Sequence, residues 1–413
     1  MISAPATRRV LAQTIVLVSC TFFLWGLSYG LLDVLNKHFQ EAMHISKAGS
    51  GLLQIAYFLA YFVIAIPAAA FNERYGYKAG LIAGLALFAT GSLLFIPSLS
   101  AGSFPFFVLA LFILACGSGC LETTANPYIS LLGDEDGAER RLNLAQAFCG
   151  LGTVIGPLIG GAFFFGLGAQ TGPQGGHGLV MQVYVWIAAF VALLAALIAR
   201  TPMPEAESSS DERPRGTWRA LLGQRRFSAG VLAQFLYVAA QVGVGAFFIN
   251  YATESRAGLS SQSAAWLLSM AMMLFMVGRF VGTFVIRYLA PSRLLAVCAL
   301  ANIALSLVVV LARGDAAIAA LMLIFFFMSI MFPTIFSLAI KGLYGQTKMA
   351  SSLLAMSVSG GAVFPYAMGL VADHYGTATA YALPLLSFVV IFAYGMRLDR
   401  KPSPAPARKA LEY

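Results

Sequence analysis

Residues 111–146 read LFILACGSGCLETTANPYISLLGDEDGAERRLNLAQ. An apolar run long enough to cross a bilayer carries one carboxylate, Glu122, a little past its middle. A charge at mid-membrane costs roughly 2.5–3.5 kcal/mol on insertion scales, so such residues are rare without a use. Gly117, Ser118, Gly119, Cys120, Thr123, Thr124 and Ala125 surround it, small residues that let helices approach closely or leave room for a ligand. Pro127 removes a helical backbone donor one turn later. The charged loop 134–141 ends the span, and a second apolar helix opens with Asn143 and Gln146. The rest of the chain reads as a scaffold around Glu122.

The 413 residues are 59% hydrophobic and 10% charged, against about 25% charged in soluble domains. This is the composition of an integral membrane protein. Twelve spans can be drawn, near 11–36, 47–71, 77–98, 104–132, 141–168, 179–200, 226–252, 260–288, 292–312, 315–341, 348–373 and 377–398. One long polar stretch, rich in Pro, Ser and charge, separates the sixth from the seventh. The expected organisation is a six-helix half at 1–200, a cytoplasmic linker at 201–225, a second half at 226–400 and a tail at 401–413. The net charge of +9 is distributed as a topology signal. With both termini inside, Arg8, Arg9, Arg74, Lys78, Arg140, Arg141, Arg287, Arg293, Lys341 and Lys348 all lie on the inner side, and only Lys37, Lys47, Arg256 and Arg313 lie outside. Nucleic-acid binding is therefore not needed to explain the charge. The five cysteines fall within apolar spans, so no disulfide framework is expected, and Cys116 with Cys120 lacks a neighbouring His for a metal site. The four histidines, His38, His44, His177 and His374, read as outer-loop residues. No cofactor motif and no enzyme motif is present: there is no phosphate-cradling glycine loop and no polar domain to house a soluble site.

The halves read as repeats. NPYISLLG after Glu122 parallels FPTIFSLAIKG at 332–342, with Pro127 and Pro333 in matching places. Gly152-x-x-x-Gly156-Pro157-x-x-Gly160-Gly161 in the fifth span parallels Gly360-Gly361-x-x-x-Pro365-x-x-x-Gly369 in the eleventh. Two six-helix halves repeated in parallel are the pattern of major facilitator transporters.

Specific strings narrow the likeness. NERYGYKAG at 72–80 resembles that superfamily's loop between spans two and three, and GRFVGTFVIRYLAPSRLL at 278–295 resembles its weaker counterpart. FFLWG, LLDVLNKHFQ, GCLETTANPYISLLG, RLNLAQAF, MSIMFPTIFSLAIKGL and TKMASSLL together resemble the fucose–proton symporter family, bacterial porters of fucose, glucose and galactose. The resemblance covers most of the chain. It implies an all-α, twelve-helix membrane protein of the bacterial inner membrane that carries a sugar with protons, and it assigns the proton to Asp33 and Glu122. It places Trp25 and Gln146 at the sugar site. The sequence departs from the family at Ser28-Tyr29-Gly30-Leu31-Leu32 and at Cys149, where family members carry amides.

The residues give their own reading beside it. Coupling a proton to a solute needs a group whose charge changes within the membrane, and the deep candidates are Asp33, Glu122 and Arg279. The plainer alternative for Glu122 is a carboxyl held neutral by helix–helix hydrogen bonds. Asp33 reads equally as an acid open to the outside and as a solvated residue beside Lys37. Arg279 reads as a structural or gating cation near the inner end of its span, and Glu73 with Arg74 as an inner gate. A sugar site pairs amides and hydroxyls with an aromatic face. Tyr29, Asn126, Gln146, Cys149 and the helical repeat Gln234, Tyr237, Gln241 fit that description, although any one of them taken alone fits helix packing better. The expected partners are thus a small sugar, protons and the lipid bilayer, with the protein a monomer. Two rivals stand beside this reading. One is a proton-driven exporter, supported by the glycine pattern at 152–161; the other is a sensor that keeps the fold and transports nothing.

Overall fold

The computed structural model describes residues 8–133, 138–167, 173–204, 218–343 and 346–399. The core of the expected linker and the tail at 401–413 lie outside these residues. A bilayer leaves backbone groups no water to bond with, so an apolar chain spans it by satisfying every N–H and C=O within helices. The described residues accordingly contain helix and no strand. In order these are α1 (Arg8–Met43), α2 (Lys47–Ser50), α3 (Leu52–Ser100), α4 (Phe104–Leu131) and α5 (Ala138–Gly160), which continues as a π-helix (Gly161–Leu167), then α6 (Pro173–Arg200). There follow α7 (Trp218–Leu222), α8 (Arg225–Ala246), α9 (Phe248–Ser255), α10 (Ser261–Val285), α11 (Pro291–Leu311), α12 (Asp315–Met328) and α13 (Met331–Ile340). Last come α14 (Thr347–Met356), α15 (Gly360–Tyr375), α16 (Thr377–Ala380) and α17 (Ala382–Asp399).

Among the described residues eleven helices are long and apolar enough to cross a membrane. One of them, α3, reverses at Gly76 (φ 82, ψ 166) and makes two crossings. Only glycine reaches that backbone region without strain, so the expected loop at 72–80 collapses to a single-residue turn. The twelve expected spans are thus all present, most with ends within a few residues of those drawn from hydropathy. Large apolar side chains such as Ile66 (76% exposed) and Leu311 (80%) face outward, as a lipid-contacting surface requires.

Glycines set the closest packing. Gly26 and Gly30 of α1 interlock with α5, where a Cβ on Gly152 would lie 2.6 Å from Leu27 N and one on Gly156 2.7 Å from Gly30 C. In the second half a Cβ on Gly360 of α15 would come 3.1 Å from Phe235 C of α8. The glycine patterns of spans five and eleven therefore do one job, bringing α5 onto α1 and α15 onto α8. The exporter reading loses its support there, because helix packing accounts for the glycines.

Three histidines depart from expectation. α1 runs on to Met43, past the expected end of span one, because residues 37–43 contain neither Gly nor Pro to stop it. His38 is therefore helical and 4% exposed, packed among the rings of Phe39, Phe164 and Phe165. His374 closes the last turn of α15. His177 lies on the backbone of α6, and His44 alone has the positive φ (54°) of a helix-ending loop residue.

Candidate functional site

Hydrogen bonds joining the two halves cluster at one end of the bundle, where residues 36–50 meet α8, α9, α10 and α15. Asp373 of α15 accepts from Lys47 N (2.9 Å) and Ala48 N (3.0 Å), capping α2 from across the interface. Lys47 Nζ pairs with Glu254 Oε1 at 2.6 Å and donates to Thr377 Oγ1 at 3.0 Å. Thr377 Oγ1 donates in turn to Glu254 Oε1 at 2.8 Å. Burial pushes the Glu254 carboxyl up, and the Lys47 ammonium with the Thr377 hydrogen bonds more than offsets this, holding it below the usual carboxylate range. Ser261 Oγ donates to Glu41 Oε1 (2.6 Å), Asn250 Nδ2 to Gln40 Oε1 (2.5 Å) and Asn36 Nδ2 to Ala246 O (2.9 Å). Together these form a clasp.

Beneath the clasp the polar residues are sealed. Asp33 is 1% exposed, and its Oδ2 has no hydrogen-bond partner. Gln54 of α3 and Gln234 of α8 are fully buried with both side-chain polar atoms unpartnered. Farther from the clasp, Glu122, Asn126, Gln146, Cys149 and Arg279 are only half-buried. The space between the halves therefore widens away from the clasp.

That space gathers residues from six helices. Glu122 of α4 lies within electrostatic reach of Tyr57 and Tyr61 of α3 and of Cys149 of α5. No ion pair and no hydrogen bond to Glu122 occurs among the described residues, so helix–helix hydrogen bonds do not account for it. Tyr57 and Tyr61 bond to each other through their hydroxyls at 3.3 Å. Gln146 Nε2 lies 3.5 Å from Asn126 Oδ1. From the other half, Arg279 of α10 acts on Cys149 and on Tyr237 of α8, and its guanidinium stands 5.1 Å over the Phe275 ring. A carboxyl and a guanidinium thus flank one thiol without pairing. Tyr29 of α1 joins the groups, within reach of Asp33, Tyr57, Tyr237 and Gln241. Tyr237 is itself buried and donates to Met328 O at 2.9 Å. Trp25 packs on Phe22, half-buried.

Glu73 and Arg74 stand apart from this group. Both are exposed beside the Gly76 reversal, and Arg74 lies over the Tyr75 ring at 5.2 Å. Their neighbours bond within the same half: Asn72 Nδ2 donates to Thr124 Oγ1 (3.0 Å), and Lys78 Nζ to Ala199 O and Thr201 O (2.9 Å each).

Residues 18–358 match the model of the Major Facilitator Superfamily. The chain belongs to the major facilitator superfamily. It is 38% identical over 399 residues to the L-fucose-proton symporter of Escherichia coli K12, covering 92% of this chain and 91% of that one. It is 34% identical over 380 residues to a glucose/galactose transporter of Brucella abortus, covering 91% of each. The crystal structure of the Escherichia coli fucose:proton symporter superposes with a TM-score of 0.67 at 37% identity, covering 94% of this chain and 99% of that one. These likenesses place the chain in the fucose–proton symporter family of membrane transporters, which are not enzymes.

Proposed function

We propose that this protein imports a monosaccharide of the fucose, glucose or galactose kind together with protons, by alternating access between its two six-helix halves. The observation that carries the reading is the contrast between its two acids. Asp33 is sealed under the clasp, while Glu122 faces the widening space without a counter-ion. One acid screened from water and one open to it is what alternating access requires of a proton path.

The distribution of Lys and Arg favours both termini in the cytoplasm; in that orientation the clasp is the outer gate and the structure is the state open inward. In the cycle, the outward-open carrier takes up protons at Asp33 and Glu122 and a sugar between the halves. Tyr29, Asn126, Gln146, Gln234 and Gln241 offer hydrogen bonds to its hydroxyls, with Trp25 and Tyr237 as apolar faces and Cys149 shaping the wall. The clasp then closes, the inner side opens, and the sugar leaves. Glu122 loses its proton to the cytoplasm. Arg279, with Glu73 and Arg74, belongs to the gating groups that rearrange in the opposite state. The protein acts as a monomer in the bacterial inner membrane.

Uptake of labelled hexoses and 6-deoxyhexoses by proteoliposomes under an inward proton gradient tests this. The expected result is accumulation above equilibrium that a protonophore abolishes. Accumulation untouched by the protonophore, or none with any sugar, would contradict it.

A further inference from the structure

One contact under the clasp is not used by this cycle. Gly245 lies one residue before the end of α8 and against Asp33 of α1. A Cβ at position 245 would sit 2.6 Å from Asp33 Oδ2, 3.3 Å from its Cγ and 3.5 Å from Oδ1. The α8 backbone therefore covers the whole carboxyl group. Both flanking residues are pinned from other elements. Tyr381 OH donates to Val244 O at 3.1 Å, and Asn36 Nδ2 to Ala246 O at 2.9 Å. α8 then breaks at Phe247 (φ −104, ψ 7), so position 245 is held at the tip of the helix, on the acid. Tyr29 and Tyr381 are the titratable groups that face Asp33. The nearest cation along α1, Lys37, pairs with Glu41 at 3.4 Å instead.

We propose that Gly245 is the lid on Asp33: lacking a side chain, it lets α8 close over the acid as the clasp forms, and water reaches Asp33 only when the clasp opens. A carboxylate ion sealed there would have neither water nor a partner, and burying an unpaired charge is strongly unfavourable. The lid therefore fits the protonated acid and resists the charged one, which makes closure of the mouth conditional on a bound proton. The inference rests on the reading of Asp33 as a proton carrier. Gly245 is a positioning residue, acting through Asp33.

A cysteine pair across the mouth reads closure directly. Glu41 and Ser261 touch at 2.6 Å in the closed clasp, so Glu41→Cys with Ser261→Cys in the full-length protein brings two thiols within reach of a short bis-methanethiosulfonate cross-linker when the mouth is shut. Adding Gly245→Ala is expected to lower the cross-linked fraction about fivefold or more, the scale on which one surplus methyl in a packed contact shifts an equilibrium. Gly243→Ala is the control: its Cβ would meet the flexible thioether of Met368, so cross-linking stays within about twofold of the parent. Shortening the acid in Gly245→Ala/Asp33→Ala is expected to restore closure, which it would not do for a helix that was merely damaged. If Gly245→Ala does not fold, Asp33→Glu serves instead, because one added methylene drives the carboxyl into the lid and cross-linking falls likewise. Parent-level cross-linking in Gly245→Ala or in Asp33→Glu, or a double variant that stays open, would overturn the lid. Should Asp33→Asn keep full proton-driven uptake while these cross-linking results hold, the proton role of Asp33 fails and the lid geometry stands.

Discussion

At the scale of single residues the account turns on Glu122. Glu122 faces Tyr57, Tyr61 and Cys149 with no ion pair among the described residues, and the proposed cycle has it exchange a proton with the space it faces. Glu122→Gln keeps the shape and removes the exchange. Proton-driven sugar accumulation is expected to fall about tenfold or more, as for loss of a relay group within the membrane, while exchange of labelled for unlabelled sugar across equilibrated vesicles persists. Loss of both activities in a folded variant would make Glu122 a binding residue alone. Glu122 stood out in the sequence because a charge inside an apolar run has a known cost, whereas Asp33 was assigned the proton only by the family resemblance. Tyr61 and Gly245 were not legible, because a tyrosine one turn from another or a glycine in a helix is ordinary packing until the partner helix is seen. His38 was misread for a related reason: polar residues at a span's end look like loop, and α1 passed straight through them into aromatic packing.

At the scale of elements, α1 and α5 approach as closely as backbone allows. Gly152→Ala is expected to lower stability by about 1–3 kcal/mol, the usual cost of overpacking, read as a drop in thermal midpoint in detergent. Gly178 of α6 has nothing within 4 Å, so Gly178→Ala is expected to leave the midpoint unchanged or raise it, by up to about 1 kcal/mol of helix propensity. Equal behaviour of the two variants would remove the α1–α5 glycine contact from the account. Elements were the most legible level, since hydropathy alone marked all twelve crossings. Their interruptions were less so. The Gly76 reversal and the break at Phe247 depend on single backbone angles that no composition window resolves.

At the scale of the whole molecule, a clasp of small polar contacts shuts one mouth. The Lys47–Glu254 pair is partly exposed (22% and 41%), so on its own it contributes about 0.2–1 kcal/mol. Lys47→Gln is therefore expected to raise the open-mouth population by up to about fivefold, seen as a second, longer distance between spin labels placed across the mouth. The pH dependence follows from Glu254. Its carboxyl is held below the usual range in the closed state and regains an ordinary value near 4.3 when solvated. The pair is thus fully formed above that ordinary value and lost as pH falls through the lowered one. With the acid under the lid neutralised, in Asp33→Asn, the closed population should be flat from about pH 5.5 to 8 and fall only in stronger acid. A change centred near neutrality in that variant would mean that a group other than Asp33 and Glu254 governs the clasp. This level was the least legible, because Lys47, Asp373 and Thr377 are remote in sequence and unremarkable alone. The repeats marked two halves, but not which end was shut. The central claim is that sugar and proton cross together through Glu122. Its most direct test is external pH beside liposomes holding the purified protein, as hexoses and 6-deoxyhexoses are added singly, with Glu122→Gln and Asp33→Asn run in parallel. The account predicts alkalinisation triggered by one class of sugar and absent in Glu122→Gln. No proton movement with any sugar, or movement undiminished in Glu122→Gln, would contradict it.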